Sequence, residues 1–435
     1  MMLNKLRNTS YWLLDSLRGA KVKNQLKEIE RCINITNSPE VNKIRNNHLN
    51  RLLSHAIKTT PFYSDINEYN SLQNFPVISK VIIQENFELF RSSKYLSKEH
   101  FKVSTSGSTG VPFFLYQNKG KRIRNQADVI FFFKESGYNV GNRLYELEVW
   151  RDHNKKGKIK AWLQNALQFD ISRLTDDRIS SLIQILKNDH QSKKTMLGFA
   201  SSYEMIAQYL ERNQLFLKNL GITAAIANAE YLNSYTKKCL GKHLNTQVLS
   251  RYSSEELGII AQQTLKSPNN FVINHASYYV EILDFKSENP VKIGEYGRIV
   301  VTDLFNYAMP IIRYDTGDIA KLGLSDDGSI QLDEIEGRKM DVIYDTTGNL
   351  ISSFIVYTKF YKYYHLLKQY QFIQQHKKVY EIKLNLKEEK FDLEDELIAS
   401  IKTDLGEDSQ IIITYVNEIP PLSSGKRRKV INNYN

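Results

Sequence analysis

Short β-prone runs recur through the middle of this chain, at 195–199, 222–227, 247–249, 278–285 and 298–303, and several are separated by helical segments. Strands that alternate with helices bury their faces against those helices, so the pattern predicts an α/β architecture with layered sheets rather than a bundle or a sandwich. Upstream, Leu49, Leu52, Leu53, Ala56 and Ile57 fall at i, i+3, i+4, i+7 and i+8, the stripe of an amphipathic helix that Pro61 ends. A second helix is expected at Ser201, where Ser201 and Glu204 fit a capping box ahead of an apolar face of Met205, Ile206, Tyr209 and Leu210.

The last hundred residues read as a separate, smaller α+β unit. Val379–Leu386 alternates, with Tyr380, Ile382, Leu384 and Leu386 on one face. Asp392 is placed to cap a helix carrying Leu393, Leu397, Ile398, Ile401 and Leu405 as far as Gly406, and 410–416 returns as a strand. Two turn-rich runs, Ser325-Asp326-Asp327-Gly328 and Asp345-Thr346-Thr347-Gly348-Asn349, bracket the junction. The expected division is a large domain over 1–336, a hinge at 337–341 and a small domain over 342–435.

Composition narrows the class. With 435 residues, 41% of them hydrophobic, and 26 Tyr and 20 Phe, the chain has far too much apolar surface for a disordered protein. Its two cysteines, Cys32 and Cys239, exclude a disulfide framework and a multi-cysteine zinc site, and a reducing cytoplasm is the natural setting. Polar Asn8, Thr9 and Ser10 interrupt the N-terminus before a signal-like apolar stretch develops, and Phe131-Phe132-Phe133 runs straight into Lys134, so no integral membrane segment is expected. The net charge of +11 invites a nucleic-acid reading. Its Lys and Arg are scattered, however, apart from Lys155-Lys156-Gly157-Lys158 and Lys426-Arg427-Arg428-Lys429, and no nucleic-acid module accompanies them. The expectation is a basic surface that favours small anionic substrates such as nucleotides, with no nucleic-acid partner.

Chemistry is concentrated first in Ser104-Thr105-Ser106-Gly107-Ser108-Thr109-Gly110, which follows a β-prone Phe101-Lys102-Val103. Glycine lets backbone approach an anion, successive N–H groups form an anion-binding nest, and the hydroxyls add donors without charge. No Walker loop occurs, and the two glycines are too close for a dinucleotide fingerprint. Alone, such a cluster is more often an ordinary surface loop; its company downstream decides. Ala229-Glu230, Arg251-Tyr252-Ser253-Ser254-Glu255-Glu256-Leu257-Gly258 and Pro310-Ile311-Ile312-Arg313-Tyr314-Asp315-Thr316-Gly317-Asp318 each follow an apolar run, Gly337-Arg338 comes next, and Pro421-Leu422-Ser423-Ser424-Gly425-Lys426 closes the set.

This ordered set resembles the adenylate-forming superfamily of acyl-CoA synthetases, and within it the phenylacetate–CoA ligase and CapK-like branch found among capsular polysaccharide biosynthesis proteins. Leu53-Ser54-His55-Ala56, Pro61-Phe62-Tyr63, Phe75-Pro76-Val77-Ile78-Ser79-Lys80 and Ser136-Gly137-Tyr138-Asn139-Val140-Gly141 extend the resemblance over most of the chain. It implies an ATP-dependent ligase that makes an acyl-AMP from a small carboxylic acid and hands the acyl group to coenzyme A or to another nucleophile, such as a sugar amine. By resemblance, Thr105, Ser106, Gly107, Ser108, Thr109 and Gly110 hold the β- and γ-phosphates, Tyr252 packs on the adenine, Ala229, Glu230 and Ser253 belong to the nucleotide site, and Asp318 and Arg338 hold the ribose. Glu256 matches the acid that helps bind Mg²⁺, and Lys426 the lysine that enters the site during adenylation.

The chain departs from the family pattern at three points. Ser253 stands for the usual glycine, and Glu255 for a hydroxyl residue, so a one-residue bulge would move the metal acid from Glu256 to Glu255. Met340 occupies the usual Asp or Lys pivot, with Asp341 next to it. These changes leave open an alternative, a degenerate relative that binds nucleotide as an accessory protein without turnover. The stretch Ile259-Ile260-Ala261-Gln262-Gln263-Thr264 lacks the cysteines of the zinc site some relatives carry, so no zinc is expected, and His275 reads as a packing or surface residue. Trp150, Arg151 and His153 follow a β-like run on the acyl side without an assignable substrate.

Overall fold

The computed structural model describes all residues except 1, 36–37, 67–68, 70, 106–112, 151–154, 339–342, 352–358, 364–365, 389, 421–427 and 435, and only the backbone of Thr105, Gly337, Arg338, Leu350 and Tyr361. Three helices open the chain: α1 (Met2–Leu17), α2 (Lys21–Asn34) and α3 (Pro39–Thr59). The start of α3 follows from Ser38, whose hydroxyl accepts from the Val41 N–H at 3.1 Å, and from Pro39 in the first turn. Its stripe buries Leu52, Leu53 and Ala56 against Tyr63 and Phe75. A short α4 (Lys80–Glu85), capped by Ser79, leads to the antiparallel hairpin β1 (His100–Thr105) and β2 (Phe113–Asn118), and then to α5 (Lys119–Glu135).

The central sheet comprises β3 (Arg143–Glu148), β4 (Ala166–Asp170), β5 (Lys194–Phe199), β6 (Ile222–Asn228), β7 (Gln247–Ser254), β8 (Gly258–Gln262) and β9 (Val272–Ile273) in the order β4-β3-β5-β6-β7-β8-β9. The first five strands are parallel; β8 and β9 return antiparallel. A short helix, α6 (Lys158–Leu163), lies between β3 and β4, and the later crossovers are α7 (Asp176–Asn188), α8 (Ala200–Arg212) and α9 (Ser234–Leu244). Side chains alternate across a strand, and the burial follows. Tyr145, Leu147, Met196, Ala225, Ala227 and Val248 pack with Leu182, Ile206 and Leu240 of these helices, whereas Leu144, Leu197 and Ile226 meet Phe133 of α5 on the other face.

A second, antiparallel sheet follows from β10 (Tyr278–Leu283), β11 (Tyr296–Asp303), β12 (Tyr314–Leu324) and β13 (Ile330–Arg338) in sequential order, and its inner face joins the core over α3. The C-terminal region holds a small hairpin, β14 (Ile343–Tyr344) with β15 (Leu350–Ile351), and a four-stranded sheet of β16 (Leu367–His376), β17 (Val379–Leu386), β18 (Gln410–Tyr415) and β19 (Val430–Asn432) in the order β18-β17-β16-β19. Helix α10 (Glu394–Leu405) buries Leu397, Ile401 and Leu405 against Tyr380, Ile382 and Leu384. This is the expected layered α/β body with a small α+β unit at its end.

Two helix starts differ from expectation. Helix α8 begins at Ala200 with no side-chain cap, so Ser201 lies inside its first turn. Its N–H is taken by the Glu230 carboxylate at 2.8 Å, and Glu204 forms an ion pair with Lys429. A tertiary partner replaces the local box. Helix α10 starts after Leu393 without a side-chain cap, and Glu394, Asp395 and Glu396 instead set negative charge in its first turn. The Glu204–Lys429 pair also joins the C-terminal region to the large sheet's helical layer, where Tyr231 and Tyr235 pack against the C-terminal core. Most of the expected hinge, 339–341, lies outside the described residues.

Candidate active site

The entry to β12 is held by one buried cation. Arg313, in the left-handed region at φ 51°, reaches Glu281 at 3.2 Å through Nε and Nη2, Glu288 at 2.6 Å and the Phe75 carbonyl at 3.0 Å. Backbone bonds on either side, from the Ile78 N–H to the Arg313 carbonyl (3.0 Å) and from the Asp315 N–H to the Ile78 carbonyl (2.8 Å), fix the segment against the chain before α4. The next residues then coil through Gly317 at φ 77°, whose N–H donates to Asp315 Oδ1 at 2.9 Å, while the Asp318 N–H donates to Thr316 Oγ1 at 3.2 Å. That local bonding presents Asp318 to β7.

There the Tyr252 hydroxyl donates to Asp318 Oδ2 at 2.7 Å and to Thr316 Oγ1 at 3.1 Å. Burial and the Asp318 charge push the Tyr252 phenol well above its ordinary range, so it stays protonated and donates to the carboxylate. Asp318 also pairs across the β12–β13 ladder with Arg338, of which only the backbone is described. Tyr252, Asp318 and Arg338, distant in sequence, are therefore brought to one place.

Glu256 sits in the turn between β7 and β8. Its carbonyl accepts from Gln117 Nε2 at 3.0 Å and its carboxylate from the Tyr314 hydroxyl at 3.3 Å. Gln117 lies on β2, so the hairpin whose strands end at Thr105 and begin again at Phe113 is tied to this turn. Glu255 lies close enough to Glu148 for its charge to push that carboxyl upward. The β7–β8 register does shift, between Tyr252 and Ser253, but Tyr252 opposes Ala261 and Ser253 opposes Ile259, so the extra residue is Ile260 on β8 and β7 itself carries no insertion. Among the described residues no group of three or more His, Cys, Asp or Glu could hold a metal ion. Ala229, at φ 67°, turns the chain out of β6, and Glu230 is spent on the start of α8.

Ser106, Gly107, Ser108, Thr109, Gly110, Met340, Asp341 and Lys426 lie outside the described residues, as do Arg151 and His153; Trp150 donates from its ring to the Glu146 carbonyl at 3.4 Å. His275 accepts from Arg45 and donates to the Ile330 carbonyl, and burial followed by the Arg45 charge lowers it to about 4, a neutral packing residue. Sequence reasoning gave no role to three polar residues toward the carboxyl ends of central strands: Glu148, Asn228 and Arg251. The signal was present in Leu144-Tyr145-Glu146-Leu147-Glu148, because a parallel strand covered on both faces is normally apolar throughout.

Residues 343–433 match the family model of the CapK C-terminal domain. Over its length the chain is 23% identical to protein CapK of Staphylococcus aureus, covering 90% of this chain and 89% of that one, and 22% identical to the phenylacetate-coenzyme A ligase of Escherichia coli K12, covering 90% and 94%. A crystal structure of 2-hydroxyisobutyryl-CoA ligase in the postadenylation state, in complex with R3-HIB-AMP, superposes with a TM-score of 0.72 at 17% identity over 91% of this chain and 90% of that one.

Proposed function

We propose that this chain, which has the fold of the adenylate-forming CoA ligases, activates a small carboxylic acid with ATP as an acyl-AMP and passes the acyl group to coenzyme A or to another nucleophile such as a sugar amine. The observation that carries the reading is the 2.7 Å bond between Tyr252 and Asp318, residues 66 apart in sequence, beside the β1–β2 hairpin that bears the Ser/Thr/Gly run. An aromatic ring backed by a carboxylate suits a nucleoside: the ring stacks on the base, and a carboxylate with about four lone-pair sites accepts from two ribose hydroxyls while keeping its tyrosine partner. Ligands of open parallel sheets bind outside the carboxyl ends of the strands, where β6 and β7 deliver Ala229 and Tyr252.

In the reaction a substrate carboxylate oxygen attacks the α-phosphorus and pyrophosphate leaves, so the protein's task is to bring two anions together and neutralise charge. Backbone N–H groups and hydroxyls of Thr105 to Gly110 would hold the outer phosphates. Lys426 would bridge the acid and the α-phosphate; it is three residues from Lys429, a reach of about 10 Å, and the Glu204–Lys429 pair ties that tail to α8. Glu256 fits a magnesium site, since that ion usually takes one or two carboxylates and completes its shell with substrate phosphates and water; Glu255 is the alternative ligand. The ion, when bound, supplies charge neutralisation on the phosphates. The small unit would swing about 337–341 to admit the acceptor. A place in surface-polysaccharide assembly rests on the likeness to CapK alone, and no described helix is long and apolar enough to cross a membrane.

The test is exchange of labelled pyrophosphate into ATP across a panel of hydroxy, amino, aryl and alkyl carboxylic acids. The ligase reading expects exchange that depends on one class of acid. ATP binding with no exchange for any acid would leave a nucleotide-binding accessory protein instead.

A further inference from the structure

A polar cluster lies beside the residues assigned to the nucleotide. On β3, Tyr145 and Leu147 pack into the α7–α9 layer, so Glu146 and Glu148 are carried on the opposite face. By the same alternation Asn228 follows Ile226 on that face of β6, and Arg251 of β7 places its guanidinium 4.6 Å from the centre of the Phe133 ring of α5. Asn228 immediately precedes Ala229, and Arg251 immediately precedes Tyr252. The cluster therefore sits at the carboxyl edge of the sheet, next to the residues assigned to the nucleotide.

Its polar groups are incompletely matched. Arg251, 8% exposed, spends Nε on Gln262 at 2.6 Å, while its Nη2 is buried with no hydrogen-bond partner among the described residues. Asn228 Oδ1 and Glu146 Oε2 are buried and unmatched in the same way, although Glu146 is paired through its other oxygen with Lys156. Native interiors satisfy the great majority of such atoms, so three in one cluster point to a polar ligand. Arg251 needs an acceptor; Asn228 and Glu146 need donors.

We infer that the acid activated here carries hydroxyl groups on its acyl chain, held by Arg251, Asn228 and the Glu146/Glu148 carboxylates; this rests on the ligase reading of the same site. An alkyl or aryl chain would leave all three atoms unmatched. A second carboxylate would suit Arg251 but face Glu146, Glu148 and Glu255, and an ammonium would suit the acceptors but lie beside Arg251 and Lys156. A hydroxyl both donates and accepts and carries no charge, so it meets every demand at once. Burial, then the Glu146 and Glu255 charges, push the Glu148 carboxyl upward, and it stands beside the other two carboxylates as an acceptor for such a hydroxyl.

The experiment measures pyrophosphate exchange with matched acids: glycerate, lactate and gluconate against propionate and hexanoate, with alanine as the ammonium counterpart and phenylacetate as the aryl one. Sites built to hydrogen-bond a substrate hydroxyl reject analogues lacking it by large factors, so a hydroxy acid should exceed its deoxy partner in kcat/KM by at least about a hundredfold. Arg251→Met should cut that ratio to below about tenfold, and Asn228→Leu, read alongside a thermal melt, does the same should the arginine variant fail to fold. Equal or better exchange with propionate, hexanoate, alanine or phenylacetate overturns the hydroxy-acid assignment and leaves the ligase standing. No exchange with any acid, with ATP still bound, overturns the ligase reading and this assignment with it.

Discussion

Replacing Arg313 by Met keeps the side chain's length and removes its charge at the point where β12 is anchored. The guanidinium is 1% exposed and Glu281 7%, whereas Glu288 is 53% exposed. The Glu288 pair is therefore worth at most about 1 kcal/mol, and the loss is dominated by Glu281 and the Phe75 carbonyl, left buried without their donor. Breaking a buried pair by deleting one partner costs about 3–5 kcal/mol. Burial already pushes the Glu281 carboxyl upward, against the opposing pull of Arg313. Without Arg313 it rises further, so the folded variant binds a proton that the unfolded chain releases near the ordinary glutamate value. Stability then falls as pH rises through that window, and the deficit is larger at pH 8 than at pH 5. Urea unfolding followed by tryptophan fluorescence should show a loss of about 3–5 kcal/mol at pH 8, a smaller one at pH 5, and partial recovery when Glu281→Leu is added. A deficit under about 1 kcal/mol, or one that grows as pH falls, would refute the anchoring role.

Other perturbations follow from single contacts. His275 is neutral in the fold down to about pH 4, so between its ordinary 6.5 and 4 the unfolded chain binds a proton the folded one does not. Stability should fall by about 3 kcal/mol as pH drops through that window, and urea midpoints for His275→Gln should show a flatter dependence. At Gly258, φ is 107° and a Cβ would lie 2.9 Å from the Tyr278 hydroxyl, so Gly258→Ala should lower stability by about 1–3 kcal/mol in a thermal melt. Glu204→Gln removes the charge that holds the largely buried Lys429; the melting temperature should fall by several degrees and pyrophosphate exchange should drop several-fold at a temperature where the variant is folded.

Periodicity made most of the architecture readable, because burial on two faces imposes itself on composition. The runs that became β5, β6, β7, β10 and β11, the stripe of α3 and the α10 helix all stand near where the pattern put them. What escaped was supplied from a distance. The start of α8 is capped by Glu230, 29 residues beyond Ser201, and no local rule contains that partner. Strand β7 runs on through Arg251-Tyr252-Ser253-Ser254, polar residues that a neighbouring ladder holds extended. Arg313 reads as one residue in a motif, and its anchoring role depends on Glu281 and on Phe75, 238 residues away. Tyr252 and Asp318 were legible as members of a set through resemblance, while the bond between them, and the nearness of Glu255 to Glu148, belong to the folded structure.

The central claim is that Tyr252 and Asp318 form the nucleoside seat, and calorimetric titration of the whole protein with ATP and AMP tests it most directly, comparing wild type with Asp318→Ala. Two charge-assisted hydrogen bonds to the ribose at about 1.5–3 kcal/mol each predict at least a hundredfold weaker binding in the variant. Nucleotide bound equally tightly by both proteins would contradict the account.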